Sequence, residues 1–397
     1  MRIPTNREVS IVLFCIILAN YSIITIIYAL SPSWEYKIKG NPYSVSISSN
    51  GKYIVSSSSG EYVYLFHHSS PNPINSYNTS DEIDNVDISA DGNSIVAGGN
   101  YRLFLYNVSS NTLLWTYDAQ NYIADLIISG DGNYITMTDI DDMIYVFHRS
   151  SSIPLWNKTH TSILSIDISF DGNFILTCGF EISLFNSSTF TPLWTYGPTM
   201  FMFKGSLTSN GKYACVGTRS WADLPTIYTF RTNSSHPIWN YTSTEDINSI
   251  DFSADGNYII AGDFRGTLRL FNRNSAIPIF SYKMESKVEK LCISDNGDYF
   301  AAGLYSGQIF FFKRGNSLPI WSYSTKEYIL SMEISADGNY LCASTQYGTI
   351  LLIDRSSPYI FGDITMVHVI LWSTLILIIL SLASIPIFKK NKKLSRA

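Results

Sequence analysis

The stretch ISADGNY, Ile334 to Tyr340, decides the fold because it recurs along the chain. Close copies occupy four further places: ISADGNS at 88–94, ISGDGNY at 128–134, ISFDGNF at 168–174 and FSADGNY at 252–258. Asp-Gly or Asn-Gly between two apolar runs is a strong signal for a tight hairpin, because both central residues of such a turn take positive φ. The stretch is therefore predicted to be a turn that joins two strands.

The turn glycines recur with a period near 40 residues, which is typical of a propeller or a solenoid. Successive spacings are 41, 40, 40, 39, 45, 41 and 41 residues, between Gly51, Gly92, Gly132, Gly172, Gly211, Gly256, Gly297 and Gly338. Each unit reads as four short strands without a helical period, and the fourth strand carries sequences such as PLWTY or PIWSY. The sequence therefore predicts an all-β fold, an eight-bladed β-propeller.

The two ends of the predicted propeller complement each other. After the eighth turn, residues 349–363 supply a third strand but no fourth strand with a Trp. The sequence PSWEYKI at 32–38 matches PLWTY and is predicted to complete the last blade. Closure of this kind removes the exposed strand edges that favour aggregation. The propeller is predicted to span residues 31–360.

Two apolar segments flank the propeller, Val9–Leu30 and Met366–Phe388, and each exceeds the roughly 20 residues that cross a bilayer. The basic tail at 389–397 is predicted to stay in the cytoplasm with residues 1–8, which places the propeller at the cell surface. The first segment could be a cleaved signal peptide. Its apolar run is long and YAL is a poor cleavage site, which favours a transmembrane helix.

The composition excludes some classes of function. The net charge is -5 and only 15% of residues are charged, so no basic patch is available for nucleic acid. The five cysteines form no CxxC pair, which argues against a zinc ribbon or a thioredoxin-like redox site.

The pattern before each turn, apolar-x-apolar-Ser-x-Asp-Gly, resembles the WD40 repeat over nearly all of residues 32–360. The Gly-His and Trp-Asp pairs of that repeat are absent here. The outer strands are also similar to the tryptophan-docking motif of quinoprotein dehydrogenases, which are eight-bladed propellers. That motif places a Trp eight residues after a polar position, as in Asn107 to Trp115 and His148 to Trp156.

The quinoprotein resemblance implies inter-blade packing by large apolar plates, for which we predict Trp34, Trp115, Trp156, Trp194, Trp239 and Trp321. It does not carry the enzyme's chemistry. Those enzymes typically pair an acidic base with Ca²⁺ ligands, and several use adjacent cysteines, which this chain lacks. We predict no catalytic residues, metal or cofactor, and no enzymatic activity.

One position of the first strand carries an acid on alternate units: Asp87, Asp167, Asp251 and Glu333. This strand is normally innermost in a propeller, so the four carboxylates are candidates for a binding ring around the channel. Like charges there would raise one another's pKa or attract a cation or a basic partner. The alternative interpretation is structural: each acid accepts hydrogen bonds from a neighbouring blade, or the alternation reflects duplication of paired units.

The fifth unit is longer than the others because residues 219–225, RSWADLP, are inserted between two strands. Long loops on a rigid scaffold often bind partners, and exposed Trp is enriched at binding hot spots, so Trp221 is the second candidate. The alternative is a drifted loop with Trp221 packed against its own blade.

These observations predict a membrane-anchored extracellular propeller that acts as a scaffold for a protein or glycan partner. Its other contact would be the lipid bilayer. Two alternatives stay open: a quinoprotein-like enzyme or ligand carrier, which needs converging carboxylates, and a structural cell-surface component, which would self-associate.

Overall fold

The computed structural model describes residues 31–197, 201–219 and 224–356, without the side chains of 201–203. Its regular structure in these ranges consists of 32 strands in eight four-stranded antiparallel sheets. The prediction of an all-β, eight-bladed propeller is confirmed. The apolar segments Val9–Leu30 and Met366–Phe388 lie outside the described residues. Within the described ranges, no helix is long and apolar enough to cross a membrane.

The first four blades follow the repeat in chain order, after an N-terminal strand β1 (Trp34–Lys37). Their strands are, for blade 1, β2 (Val45–Ile47), β3 (Tyr53–Ser56), β4 (Tyr62–His67) and β5 (Asn75–Asn78); for blade 2, β6 (Ile83–Ile88), β7 (Ser94–Gly99), β8 (Arg102–Asn107) and β9 (Thr112–Asp118); for blade 3, β10 (Ile123–Ile128), β11 (Tyr134–Asp139), β12 (Met143–His148) and β13 (Trp156–Thr159); for blade 4, β14 (Ser165–Ile168), β15 (Phe174–Cys178), β16 (Ile182–Asn186) and β17 (Pro192–Tyr196).

The second four blades have the same order, except that blade 8 has only three strands of its own. Their strands are, for blade 5, β18 (Phe201–Leu207), β19 (Tyr213–Arg219), β20 (Thr226–Arg231) and β21 (Pro237–Thr242); for blade 6, β22 (Ile247–Phe252), β23 (Tyr258–Asp263), β24 (Thr267–Asn272) and β25 (Pro278–Lys283); for blade 7, β26 (Val288–Ile293), β27 (Tyr299–Leu304), β28 (Gln308–Lys313) and β29 (Trp321–Ser324); for blade 8, β30 (Ile329–Ile334), β31 (Tyr340–Thr345) and β32 (Thr349–Asp354).

The N-terminal strand closes the ring, as the sequence predicts. Strand β1 pairs antiparallel with β32, with Trp34 opposite Leu352 and Lys37 opposite Thr349. The Ser33 N–H donates to the Leu352 carbonyl at 2.7 Å. Blade 8 therefore takes strands from both ends of the propeller.

The hydrophobic core lies between neighbouring blades rather than within them. Between blades 1 and 2, Val63 and Leu65 of β4 pack with Ile83 and Val86 of β6, and all four are buried. The same arrangement recurs around the ring. Each sheet buries both faces, so its inner strands are apolar on both sides instead of alternating.

A closed circle of main-chain hydrogen bonds joins the Asp-Gly and Asn-Gly turns of all eight blades. Each bond runs from a backbone N–H in one turn to a carbonyl in the turn of the next blade, at 2.9–3.2 Å. In order, the pairs are Ser49 to Ala90, Ala90 to Gly130, Asp131 to Phe170, Phe170 to Ser209, Ser209 to Ala254, Asp255 to Asp295, Asp295 to Ala336 and Ala336 to Ser49.

The glycine of a turn is also the contact point for the preceding blade. Gly92 has φ +76°, and a Cβ added there would lie 2.7 Å from the Tyr53 ring. Gly338 repeats the arrangement with φ +69° and the ring of Tyr299. At six of the eight turns, one copy supplies the aromatic ring and the next copy supplies the glycine on which that ring packs; Gly132 and Gly256 contact Ser89 and Thr208 instead.

We expect Gly92→Ala to lower the free energy of unfolding by about 2 kcal/mol or more, because the left-handed backbone and the contact with Tyr53 both oppose a Cβ. Gly315→Ala is the matched control, since Gly315 has φ +89° but no atom within 4 Å of its added Cβ. Chemical denaturation of both variants separates backbone strain from packing. Equal losses in the two variants would show that the inter-blade contact contributes nothing.

Candidate functional site

The four acids predicted to form a ring lie on the innermost strands of blades 2, 4, 6 and 8. Asp87 is on β6, Asp167 on β14, Asp251 on β22 and Glu333 on β30. They occupy equivalent registers and are half-buried in the wall of the central channel. The structure therefore brings the predicted residues to one level of the channel.

Each carboxylate reaches across to the following blade and accepts a backbone N–H there. The donors and distances are Ile128 to Asp87 at 2.9 Å, Leu207 to Asp167 at 2.6 Å, Ile293 to Asp251 at 3.2 Å and Ile47 to Glu333 at 2.8 Å. Two hydroxyls extend the set, since Ser46 donates to Asp87 at 2.8 Å and Ser206 to Asp251 at 3.1 Å. These contacts support the structural interpretation of the alternation, and a role of the acids in binding stays a prediction.

The environment of the ring raises the pKa values of its four carboxyl groups. Burial raises the pKa of Asp167 to about 6 and that of Asp251 to about 7. Burial also raises the pKa values of Asp87 and Glu333, and the Asp87 charge raises that of Glu333 further. The raised values show that the N–H and hydroxyl donors do not fully offset the loss of water around the carboxylates.

A second level of charged residues lies on the innermost strands of odd-numbered blades, two positions before the register that carries the acids on even-numbered blades. It contains Asp125 on β10, Lys204 on β18 and Lys290 on β26. The sequence analysis did not predict this level, because it considered only the repeat position that carries Asp87, Asp167, Asp251 and Glu333. The signal was available, since residues two apart in a strand face the same side.

Five of the six predicted tryptophans bridge neighbouring blades. Their indole N–H groups donate to a main-chain carbonyl of the next blade at 2.6–2.8 Å: Trp34 to His68, Trp115 to Arg149, Trp156 to Ser187, Trp194 to Thr232 and Trp239 to Arg273. Each ring also lies 5.4–5.8 Å from a Phe of that blade.

Trp321 departs from this arrangement. Its ring stacks on Phe311 of its own blade at 5.0 Å, and its buried Nε1 has no hydrogen-bond partner among the described residues. Blade 8 has Ile353 where the other five acceptor blades carry the Phe, so the ring has no aromatic partner across the seam.

The turns between the second and third strands of the blades form one face of the propeller, opposite the Asp-Gly turns. We call these the apolar face and the Asp-Gly face. Six of these turns expose a large apolar side chain, with 46–63% of its surface accessible: Tyr101, Ile140, Phe180, Phe264, Tyr305 and Tyr347. The corresponding turn of blade 5 contains Trp221, which lies outside the described residues, so its binding role stays a prediction.

No metal site is formed by His, Cys, Asp or Glu side chains in the described part of the chain. The residues Cys178, Cys215, Cys292 and Cys342 are buried and their thiols are free. Burial raises the pKa of Cys178 to about 12, so its thiol is neutral and unreactive at physiological pH.

The geometry defines an eight-bladed β-propeller. The family described as "WD domain, G-beta repeat" matches residues 232–272, which comprise β21 to β24. No curated protein is significantly similar to the chain in sequence.

Solved structures share the fold at low sequence identity. Saccharomyces cerevisiae Sqt1 is 12% identical with a TM-score of 0.70, over 82% of this chain and 99% of its own. The C-terminal WD40 domain of Sif2 is 15% identical with a TM-score of 0.71, over 83% and 99%. Chaetomium thermophilum Sqt1, bound to the N-terminus of ribosomal protein L10, is 14% identical with a TM-score of 0.70, over 82% and 100%.

Proposed function

We propose that this protein is a membrane-anchored scaffold that binds a protein partner through the apolar face. The observation that carries the proposal is the repetition of an exposed apolar side chain at equivalent turns of six blades. Exposed apolar side chains that gather on one face are typical of interaction sites, and Tyr is enriched at binding hot spots. A catalytic role is not part of the proposal.

The two ends of the described propeller lie on the face opposite the apolar face, which is consistent with a partner bound at the apolar face. The Asp354 N–H donates to Ser33 Oγ at 3.0 Å, and Arg355 N–H donates to the Asn339 carbonyl in the Asp-Gly turn of blade 8. Both ends of the described chain therefore leave from the Asp-Gly face. The apolar face lies on the side of the propeller opposite both of these ends.

The comparison with Sqt1 agrees with a protein partner, because the Chaetomium protein of the same fold was solved with the N-terminus of ribosomal protein L10 bound. At this identity the likeness concerns the fold alone, so the partner of the present protein is not inferred from it. A glycan partner stays a prediction of the sequence.

The binding proposal is tested with the full-length protein carrying Tyr101→Ser, Tyr305→Ser and Tyr347→Ser together. We expect partners cross-linked in intact membranes to be lost, because the three side chains are 60–62% exposed and contribute contact area rather than core packing. The matched control is Ile153→Ser with Ile277→Ser, which removes two apolar side chains, each 75% exposed, away from the apolar face. Loss of the same partners in the control, or their retention in the triple variant, contradicts the proposal.

The topology is tested separately by adding protease to intact cells that express the chain with a C-terminal tag. We expect the propeller to be digested and the tag to be protected, because the basic tail at 389–397 favours the cytoplasmic side. A tag digested together with the propeller would reverse the orientation.

A further inference from the structure

The channel wall carries one residue per blade at the second level, two positions before the register of the acid ring in each innermost strand. On blades 4 to 7 these residues are Ser165, Lys204, Ser249 and Lys290. Their registers are equivalent, since each lies opposite a residue at the same position of the second strand, Cys178, Gly217, Gly262 or Gly303. Four consecutive blades thus place two hydroxyls and two ammonium groups on one side of the channel.

The other four blades use this position to bind the next blade. Ser44 donates to the Val86 carbonyl at 3.3 Å, Asn85 to the Ala124 carbonyl at 3.3 Å and Ser331 to the Val45 carbonyl at 3.4 Å. Asp125 accepts the Ile166 N–H at 3.3 Å. This position therefore makes an inter-blade hydrogen bond on blades 1, 2, 3 and 8.

On blades 4 to 7 the side chains make no such bond. Among the described residues, neither Lys204 nor Lys290 has a carboxylate within ion-pair distance. The Ser165 side chain is 1% exposed, and its hydroxyl has no hydrogen-bond partner in the described structure. A buried hydroxyl without a partner costs about 1–3 kcal/mol. The hydroxyls of Tyr77, Ser94, Thr136, Thr229 and Ser344 share this state in the described structure, and Ser165 differs from them in lying at the level of Lys204 and Lys290.

The chemistry of these side chains indicates which kind of ligand they could bind. An ammonium group has three donors and no acceptor, and a hydroxyl can donate as well. We propose that the channel binds a small oxyanion, a phosphate or a carboxylate, between Lys204 and Lys290. The Ser249 and Ser165 hydroxyls on the adjoining blades complete the set of donors. This site is independent of the partner proposed for the apolar face.

Several charged groups surround the site and make its occupancy depend on pH. They are Asp125, Asp167 and Asp251 on the neighbouring strands, and Lys287 and Glu289 beside Lys290. Burial and the nearby Lys204 charge lower the pKa of Lys290. As the pH falls from 8.5 to 5.5, Asp167 and Asp251 lose negative charge, which favours an anion in the channel. Phosphate itself gains a proton over the same range, so the rise in affinity is expected for a carboxylate such as acetate, which stays mostly ionised.

The test uses the purified full-length chain in detergent, with inorganic phosphate and acetate as separate probes in calorimetric titrations at pH 5.5 and 8.5. We expect one probe to bind at one site, and acetate, which keeps most of its charge, to bind more tightly at pH 5.5 than at pH 8.5. Lys204→Met and Lys290→Met should each weaken binding tenfold or more, because each removes a charge-assisted hydrogen bond. Titration with both probes decides whether the site prefers phosphate or carboxylate.

Two further variants keep the test decisive. Ser165→Ala removes an unpartnered hydroxyl, so it should weaken anion binding severalfold while leaving the thermal midpoint of the anion-free protein unchanged or higher. Lys212→Met is the control, because Lys212 is an exposed lysine in the Asn-Gly turn of blade 5, on the Asp-Gly face and away from the channel lysines. The proposal is wrong if neither probe binds, or if the Lys204 and Lys290 variants bind as Lys212→Met does.

Discussion

Deletion of Ser31–Ile38 from the full-length chain is expected to unfold the propeller. The deletion removes strand β1, which supplies the fourth strand of blade 8, together with the buried side chains of Trp34 and Ile38. Loss of one buried Trp costs about 3–5 kcal/mol, and a domain is stable by only about 5–15 kcal/mol. The edge of β32 would also be open to pairing with other chains.

Thermal unfolding followed by circular dichroism measures this effect. We expect no cooperative transition after the deletion, whereas Lys37→Ala, which trims an exposed side chain of the same strand, should melt like the unmodified protein. A deleted chain that melts at the original temperature would show that the ring closes without β1.

Substitutions at Trp34 separate packing from hydrogen bonding at the seam. The indole lies 5.4 Å from Phe66 and donates to the His68 carbonyl at 2.8 Å. Trp34→Phe keeps an aromatic ring and leaves the carbonyl without its donor, so we expect a loss of about 1 kcal/mol from the hydrogen bond. Trp34→Ala removes both and should lose about 3–5 kcal/mol.

The second large effect concerns the pH dependence of stability, through Asp251. Its pKa in the folded protein is about 7, above the ordinary value of 3.8, because of burial. Between these two values the folded chain keeps a proton that the unfolded chain releases. The free energy of unfolding therefore falls as the pH rises through this window, and the stabilisation is lost above pH 7.

Asp251→Asn removes this titration. It also replaces a carboxylate oxygen that accepts the Ile293 N–H at 3.2 Å. At pH 5 we therefore expect the free energy of unfolding of the variant to be lower by about 1–3 kcal/mol. From pH 5 to pH 8 the unmodified protein should then lose about 2 kcal/mol relative to the variant, since channel water screens part of the shift. Denaturant unfolding at several pH values measures both quantities.

The control for this experiment is Glu285→Gln, which neutralises an exposed acid in a loop and should leave the pH dependence unchanged. A variant Asp251→Asn with the same pH dependence as the unmodified chain would show that this carboxyl stays ionised in the folded protein. The double variant Asp87→Asn with Asp251→Asn tests the binding role of the ring. If the acids bind a cation, Ca²⁺ should raise the melting temperature of the unmodified chain and raise it less in the double variant.

The blade count, the turns and the closing strand follow from the sequence alone, because they depend on local chemistry that repeats. An Asp-Gly pair selects a turn with positive φ wherever it occurs, and eight copies at a near-constant spacing count the blades. The match of residues 32–38 to the fourth strand of other units identifies the closing strand, since only one strand of the repeat was missing. The alternation of Asp87, Asp167, Asp251 and Glu333 could also be read from the repeat.

Only the tertiary structure decided what those acids and the other polar residues contact. The N–H that each acid accepts belongs to the next blade, 41 residues further along the chain for Asp87 and 286 residues back for Glu333. The channel lysines Lys204 and Lys290 lie 86 residues apart in the sequence and share one wall because blades 5 and 7 curve round the same axis. The sequence period places residues on equivalent positions of each blade, but closure of the ring determines which of them meet across the channel and which find no partner there.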